Sequence, residues 1–167
     1  LAQSHAIRRA IEILDTQSAR QPDSTSVKRD LGWMLATCPA GQFRDPARAV
    51  QLLRQALQSE PESADYWEIL GIAQYRANEW PSAIESLNKA VTLEKQGSST
   101  PHAFLAMSHW RLGQKEQARK AYDRCVESMG KHHPPDEHYE RFRREASELL
   151  GIVQEGGPEP ESATPEP

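Results

Sequence analysis

The chain has 167 residues, enough for one ordinary domain, and 37% of them are hydrophobic. Its formal net charge is −4, and all of this excess lies after residue 154, so the preceding part carries 20 acidic and 20 basic residues. A neutral body argues against nucleic acid and membrane surfaces as partners, and no apolar run approaches the roughly 20 residues that span a bilayer.

The N-terminal residues 3–21 space their apolar side chains as a helix does. Pro22 lies 12 residues after Ala10, just as Pro61 lies 12 residues after Ala49. This stretch therefore indicates half a repeat, the second helix of a unit whose first helix would precede it. Because the chain also begins without a methionine, we expect it to be a piece of a longer protein.

A period of about 34 residues runs through the middle of the chain. Ala83 lies 34 residues after Ala49, and Ala118 lies 35 residues after Ala83. Small residues at this period, where two helices touch, are typical of a helix–turn–helix solenoid. The predicted repeats span residues 25–60, 64–95 and 99–130.

The turns of these repeats also carry information. The turn at 39–45 is about five residues longer than the others, and Asp45 and Pro46 then form a strong helix start, with an N-cap followed by Pro at the first helical position. In the second unit, Asn78 stands where a turn often needs a positive φ.

The C-terminal part of the chain divides into a helix and a tail. Residues 136–150 predict a helix with apolar residues such as Phe142 and Ala146 on one face and charges on the other, as expected of a capping helix. Residues 154–167 contain no large apolar side chain, so they predict a disordered, acidic, Pro-rich tail. The helical repeat domain is therefore assigned to residues 1–153.

The second unit gives the clearest family resemblance. Its pattern consists of Trp67, Leu70, Gly71, Tyr75, Ala83, Leu87 and Ala90. With these spacings, the chain resembles the tetratricopeptide repeat (TPR) family over residues 3–130. The resemblance implies an all-α fold, a right-handed α-solenoid of antiparallel helix pairs with a C-terminal capping helix. The long turn is similar to TPR arrays of multidomain bacterial proteins, which often sit beside a kinase or another signalling domain.

Small residues in this pattern predict how the helices pack. A bulky replacement in such a position overpacks the contact and costs about 1–3 kcal/mol, so we expect Gly71→Leu or Ala83→Phe to lower the melting temperature. Two tryptophans match packing positions of the family. The residues assigned to packing are Gly32, Ala49, Trp67, Gly71, Trp80, Ala83, Ala106, Gly113 and Ala118.

In the TPR family the first helices line a concave groove that binds extended peptides. Carried over by position, the resemblance assigns nine residues to this groove, Arg29, Trp33, Glu68, Ile72, Tyr75, Arg76, Met107, Trp110 and Arg111. Arginine and aromatic residues are frequent in binding hot spots. The alternative is that Tyr75 and Trp110 pack between helices and that the arginines only solubilise the face. The carboxylate clamp of chaperone-binding TPR domains is not reproduced, because Trp33 and Ile69 stand at the corresponding positions.

Motifs for catalysis or metal binding are absent from the sequence. His132, His133 and His138 match no defined metal site, so we expect no metal and no cofactor. Because there is no glycine-rich phosphate loop, HExxH motif or nucleophile elbow, we also expect no enzymatic activity. Cys38 and Cys125 form no disulfide framework, which favours a reducing compartment and a cytoplasmic location.

The sequence therefore predicts a scaffold that binds an unknown protein or peptide through its concave groove. One alternative is a regulatory or oligomerisation module of a larger signalling protein, such as a bacterial serine/threonine kinase. In that case its surface is occupied by its own chain or, through self-association, by a second copy. A further alternative is part of an enzyme subunit.

Overall fold

The computed structural model describes residues 2–94, 98–129 and 137–152. Within these ranges the chain forms eight α-helices and one short 3₁₀ turn, and it contains no strand. The helices are α1 (Ala2–Arg20), α2 (Thr25–Thr37), α3 (Pro46–Ser59), α4 (Ala64–Arg76), α5 (Trp80–Leu93), α6 (Thr100–Arg111), α7 (Lys115–Met129) and α8 (Glu137–Leu150). The predicted all-α fold is confirmed, whereas the predicted disordered tail lies outside the described residues.

The helices pack as consecutive antiparallel pairs. Helix α2 pairs with α3, α4 with α5, and α6 with α7, while α1 contacts α2. The first helices of the three pairs also contact one another in order, α2 with α4 and α4 with α6. We call the surface formed by α2, α4 and α6 the first-helix face. This arrangement is an α-solenoid.

Glycine allows close approach within two of these pairs. A Cβ atom at Gly32 would lie 2.1 Å from Leu53 Cδ2, and one at Gly71 would lie 2.5 Å from Leu87 Cγ. The alanines at the contacts are fully buried, and they are Ala49, Ala83, Ala106 and Ala118. The period of about 34 residues thus marks positions where neighbouring helices leave no room for a larger side chain.

The turns follow from local chemistry. The Asp45 side chain accepts a hydrogen bond from the Arg48 backbone N–H at 3.0 Å, and Pro46 opens α3. Asn78 has a φ of 63° and Gly113 a φ of 75°, the left-handed conformation that ends a helix and reverses the chain.

One apolar core runs along the array from α2 to α8. Trp67 and Trp80 are partly buried and pack against it, and the Trp67 indole donates a hydrogen bond to the Pro61 carbonyl at 2.8 Å. Cys125 is buried in this core, and burial raises its pKa to about 12, so the thiol stays protonated. No helix in the described ranges is both long enough and apolar enough to cross a membrane.

Candidate functional site

Helix α8 lies across the first-helix face. Its side chains contact Trp33 on α2, Arg76 on α4 and Phe104 on α6, and it also packs against α7. A capping helix needs to contact only the last pair of a solenoid. Here it also covers the surface that the sequence assigned to partner binding.

Phe142 is the apolar anchor of α8 on this face. Its side chain is fully buried, with its ring centroid 6.3 Å from that of Trp33 and 4.9 Å from that of Phe104. Both pairs are edge-to-face, the geometry that aromatic rings prefer. Tyr75 extends the cluster by an edge-on contact with Phe104 at 5.5 Å. Four rings from α2, α4, α6 and α8 therefore form one cluster.

Arg76 and Glu145 form the main polar contact between α4 and α8. Both terminal nitrogens of Arg76 donate to the carboxylate of Glu145, and the Nη2–Oε2 distance is 2.6 Å. The Arg76 side chain is 12% exposed, so this ion pair is largely shielded from solvent. A bidentate, shielded pair of this kind is stronger and more specific than an exposed one.

Two further arginines lie at the C-terminal end of α2. Arg141 of α8 donates to the Thr37 carbonyl at 2.8 Å, and Arg44 donates to the Cys38 carbonyl at 2.6 Å. The last carbonyls of a helix have no partner within it and carry partial negative charge, so they attract cations. Both contacts therefore fasten the long turn and α8 to the end of α2.

Arg44, Arg76 and Arg141, which we call the arginine cluster, act on one another electrostatically. Burial lowers the pKa of Arg44, and Arg76 lowers it further. Burial likewise lowers the pKa of Arg141, followed by the effects of Arg44 and Arg76. Among the residues that the structure describes, Glu145 is the one carboxylate that opposes these shifts in both cases. Three guanidinium groups thus share a single carboxylate supplied by α8.

Three of the residues assigned to the groove are buried. Ile72 and Met107 are 0% exposed and Tyr75 is 6% exposed. A first helix in the middle of the array contacts its own partner, the neighbouring repeats and, here, α8, which leaves little of its surface free. In this conformation Tyr75 packs between helices, which was the alternative interpretation of this residue, because its ring lies against that of Phe104.

The remaining aromatic and arginine residues of the assigned groove differ in their surroundings. Arg29 pairs with Asp65, with 2.7 Å between Nε and Oδ2. Trp110 lies under the ammonium group of Lys115, which is 5.5 Å from the ring centroid. Arg111 is exposed. Of the assigned residues, Trp33 contacts His138 and Phe142 of α8, and Arg76 pairs with Glu145 of α8.

Glu68 lies near the start of α4 among other carboxylates. Burial raises its pKa to about 8, and Asp65 and Glu94 raise it as well, while a hydrogen bond with Ser98 opposes them. At neutral pH this carboxyl group therefore holds a proton for most of the time. It does not place a full negative charge on the first-helix face.

Five residues of this site were missed at the sequence level. The sequence did not predict that these residues hold α8 and the long turn against the first helices, and they are Arg44, Phe104, Arg141, Phe142 and Glu145. The apolar stripe of α8 predicted that Phe142 would be buried, but not which helices would bury it. His132 and His133 lie outside the described residues, and His138 contacts the Trp33 ring. Within residues 2–94, 98–129 and 137–152, no group of His, Cys, Asp and Glu has the arrangement of a metal site.

Comparisons with known proteins agree with this architecture. Family models described as tetratricopeptide repeat match residues 40–99 and 101–128. Among solved structures, MamA AMB-1 superposes with a TM-score of 0.64 at 24% identity, covering 78% of this chain and 73% of that chain.

Two further solved structures show the same fold. MamA 41-end from Desulfovibrio magneticus RS-1 gives a TM-score of 0.64 at 19% identity, with 80% of this chain and 72% of that chain covered. Another crystal structure of MamA gives 0.61 at 20% identity, with 90% and 88% covered. No curated protein sequence matches the chain. The two family models together span more than half of the chain, which belongs to the tetratricopeptide repeat family.

Proposed function

We propose that the chain is a protein-interaction scaffold whose first-helix face binds a helical segment, and that α8 occupies this face until a partner displaces it. TPR repeats support a role in protein interaction in general. The position of α8 supports the finer proposal. Phe142 contacts α2 and α6 through their aromatic rings, and Glu145 pairs with Arg76 on α4, so α8 contacts all three first helices. The proposal thus combines groove binding with a regulatory module whose surface is occupied by its own chain.

The competition between α8 and a partner has a definite energetic form. A segment of the same chain acts at an effective concentration in the millimolar range. A partner that binds the open face then has its affinity reduced by the fraction of molecules in which α8 is bound. Any change that weakens α8 therefore raises the apparent affinity of the partner. No catalytic step and no cofactor enter this proposal, and a cytoplasmic location remains a prediction.

The test uses a fluorescently labelled peptide with the sequence of residues 137–150 as the probe. In the full chain, Phe142→Ala combined with Glu145→Ala removes the apolar anchor and the ion pair of the resident α8. We expect this variant to bind the peptide at least about tenfold more tightly than the unmodified chain, measured by fluorescence anisotropy.

The matched control is Arg144→Ala combined with Glu148→Ala, since both side chains are exposed on α8. It should leave peptide affinity unchanged. If the variant with Phe142→Ala and Glu145→Ala loses helicity by circular dichroism, Glu145→Gln alone serves as the milder opening variant. Equal peptide affinity for the opened and unmodified chains would overturn the proposal.

Self-association is a second candidate, and it has its own supporting observation. Helix α1 contacts α2 on one side, and Ile13 on α1 is 50% exposed, more than any other large hydrophobic residue that the structure describes. A copy of the chain that covers α1 would bury this residue. Light scattering should then give a concentration-dependent mass that Ile13→Glu returns to the monomer value, whereas a constant monomer mass would exclude this candidate.

A further inference from the structure

The arginine cluster changes when α8 leaves the first-helix face. Arg141 and Glu145 belong to α8 and leave with it, whereas Arg44 and Arg76 remain. Within the described part of the chain, Glu145 is the one carboxylate that raises the pKa of Arg44. The open face therefore holds two neighbouring guanidinium groups that have lost this carboxylate.

Arg76 also has an unused donor. Even with α8 in place, its Nε is buried and has no hydrogen-bond partner among the described residues. A guanidinium group carries five N–H donors, and a buried one without a partner is unfavourable. When α8 leaves, Nη1 and Nη2 of Arg76 also lose the carboxylate of Glu145, so the site favours a ligand with at least one carboxylate at that position.

An aromatic contact lies next to this charge. Trp33 and Phe104 enclose Phe142, and the Arg76 guanidinium lies 5.3 Å from the centre of the Phe104 ring. Side chains three residues apart in a helix lie on the same face, so one helix presents Phe142 and Glu145 together. Ala146, directly after Glu145, is fully buried in the apolar core, so a larger side chain there would have to overpack its neighbours.

We propose that the partner of the first-helix face is an amphipathic helix with an aromatic residue, a carboxylate three positions later and a small residue next to that carboxylate. Phe142, Glu145 and Ala146 are the chain's own example of this pattern. The inference rests on the proposed function, because it names the partner class of the same site. A helix with a basic residue at the carboxylate position is disfavoured, since it would replace the carboxylate that Arg76 binds with another positive charge.

The experiment compares peptides on the opened full chain, which carries Phe142→Ala and Glu145→Ala. The probe is the labelled peptide of residues 137–150, together with versions that carry Glu145→Gln, Glu145→Arg, Phe142→Ala or Glu148→Gln. We expect Glu145→Gln and Phe142→Ala to weaken binding at least about tenfold and Glu145→Arg to weaken it further. Glu148→Gln is the control and should bind like the parent peptide, because Glu148 is exposed.

A charge exchange tests the pairing itself. When Arg76→Glu is added to the opened chain, the Glu145→Arg peptide should bind more tightly than the parent peptide, which reverses the original order. Circular dichroism establishes that this variant remains helical, and Arg76→Gln replaces it if helicity is lost. With Arg76→Gln, the discrimination between the parent and Glu145→Gln peptides should fall to within about twofold.

The outcomes separate the inference from the proposed function. If the parent and Glu145→Gln peptides bind the opened chain equally well, the carboxylate requirement is wrong, although the face still binds helices. If the parent peptide does not bind the opened chain, the proposed function fails and the inference fails with it. The inference would also be contradicted if the parent peptide bound more tightly than the Glu145→Gln peptide by the same factor whether or not Arg76 is replaced.

Discussion

Arg76 on α4 and Glu145 on α8 form a bidentate ion pair that links residues 69 positions apart in the chain. The pair joins the middle of the repeat array to the helix that follows it. Because the arginine is largely shielded from water, the pair fixes the position of α8 along the first-helix face. The proposed interaction surface and the stability of the array are therefore coupled.

Removing this pair should destabilise the fold. Glu145→Gln leaves the Arg76 guanidinium shielded without a carboxylate, so we expect the free energy of unfolding to fall by about 1–3 kcal/mol in urea titrations. A double-mutant cycle with Arg76→Gln should give a favourable coupling energy. Lys120→Gln, which removes only an exposed pair with Glu116, should change stability by less than about 0.5 kcal/mol. A coupling energy of zero would show that the pair does not form in solution.

The close approach at Gly71 should reject even a methyl group. A Cβ atom there would lie 2.5 Å from Leu87 Cγ and 3.2 Å from the Leu87 backbone nitrogen, which moves less easily than the end of a side chain. We expect Gly71→Ala to lower stability by about 1–3 kcal/mol, despite the better helix propensity of alanine. Gly41→Ala is the control, because a Cβ atom at Gly41 contacts nothing within 4 Å. Thermal unfolding of the two variants at equal temperatures would contradict the assigned packing.

Glu68 should make stability depend on pH. Its pKa in the folded state is about 8, above the ordinary value of 4.5, so the folded protein keeps a proton that the unfolded chain releases between these values. The unfolded state binds fewer protons across this window, and stability therefore falls as the pH rises from about 4.5 to 8.

Glu68→Gln removes this dependence, because glutamine has the size and polarity of the protonated carboxyl group. We expect the variant to melt at least about 3 °C above the unmodified chain at pH 9 and at nearly the same temperature at pH 4.5. Melting temperatures measured across this range provide the test. Two curves that run parallel at all pH values would argue against a raised pKa.

Two tryptophans on the first helices should differ in their effect on helix binding. Trp33 contacts Phe142, whereas Trp110 lies under Lys115. In the opened chain, Trp33→Ala should weaken binding of the residue 137–150 peptide at least about tenfold, because an aromatic contact is lost. Trp110→Ala should change it by less than about twofold. The opposite order in anisotropy titrations would place the binding surface at the other end of α6.

The repeat fold could be predicted because its signal is periodic. Gly32 and Gly71 occupy the same position in successive first helices, and Ala49, Ala83 and Ala118 do so in second helices. Each repeat solves the same packing problem, so the same small residue recurs, and three occurrences in phase identify the architecture. The positive φ of Asn78 could also be predicted, because asparagine is one of the few residues other than glycine that adopt this conformation.

The position of α8 could not be predicted in this way. Its apolar stripe would be buried equally well against α7 alone or across the first-helix face, and the two arrangements have the same sequence pattern. What distinguishes them is the contact of Phe142 with Trp33 and that of Glu145 with Arg76, which occur once and far apart in the chain. For the same reason, assigning groove residues by position did not anticipate that Ile72 and Met107 are fully buried.

The position of α8 on the first-helix face is tested most directly by nuclear Overhauser effects between the rings of Trp33 and Phe142 in the full chain. Their centroids are 6.3 Å apart in an edge-on arrangement, so protons of the two rings should give direct cross-peaks. The same spectra should connect Phe142 to Phe104, whose ring centroid is 4.9 Å away. Cross-peaks from Phe142 to both rings are the predicted result. Cross-peaks from Phe142 to α7 alone, with none to Trp33, would show that α8 leaves the first-helix face open.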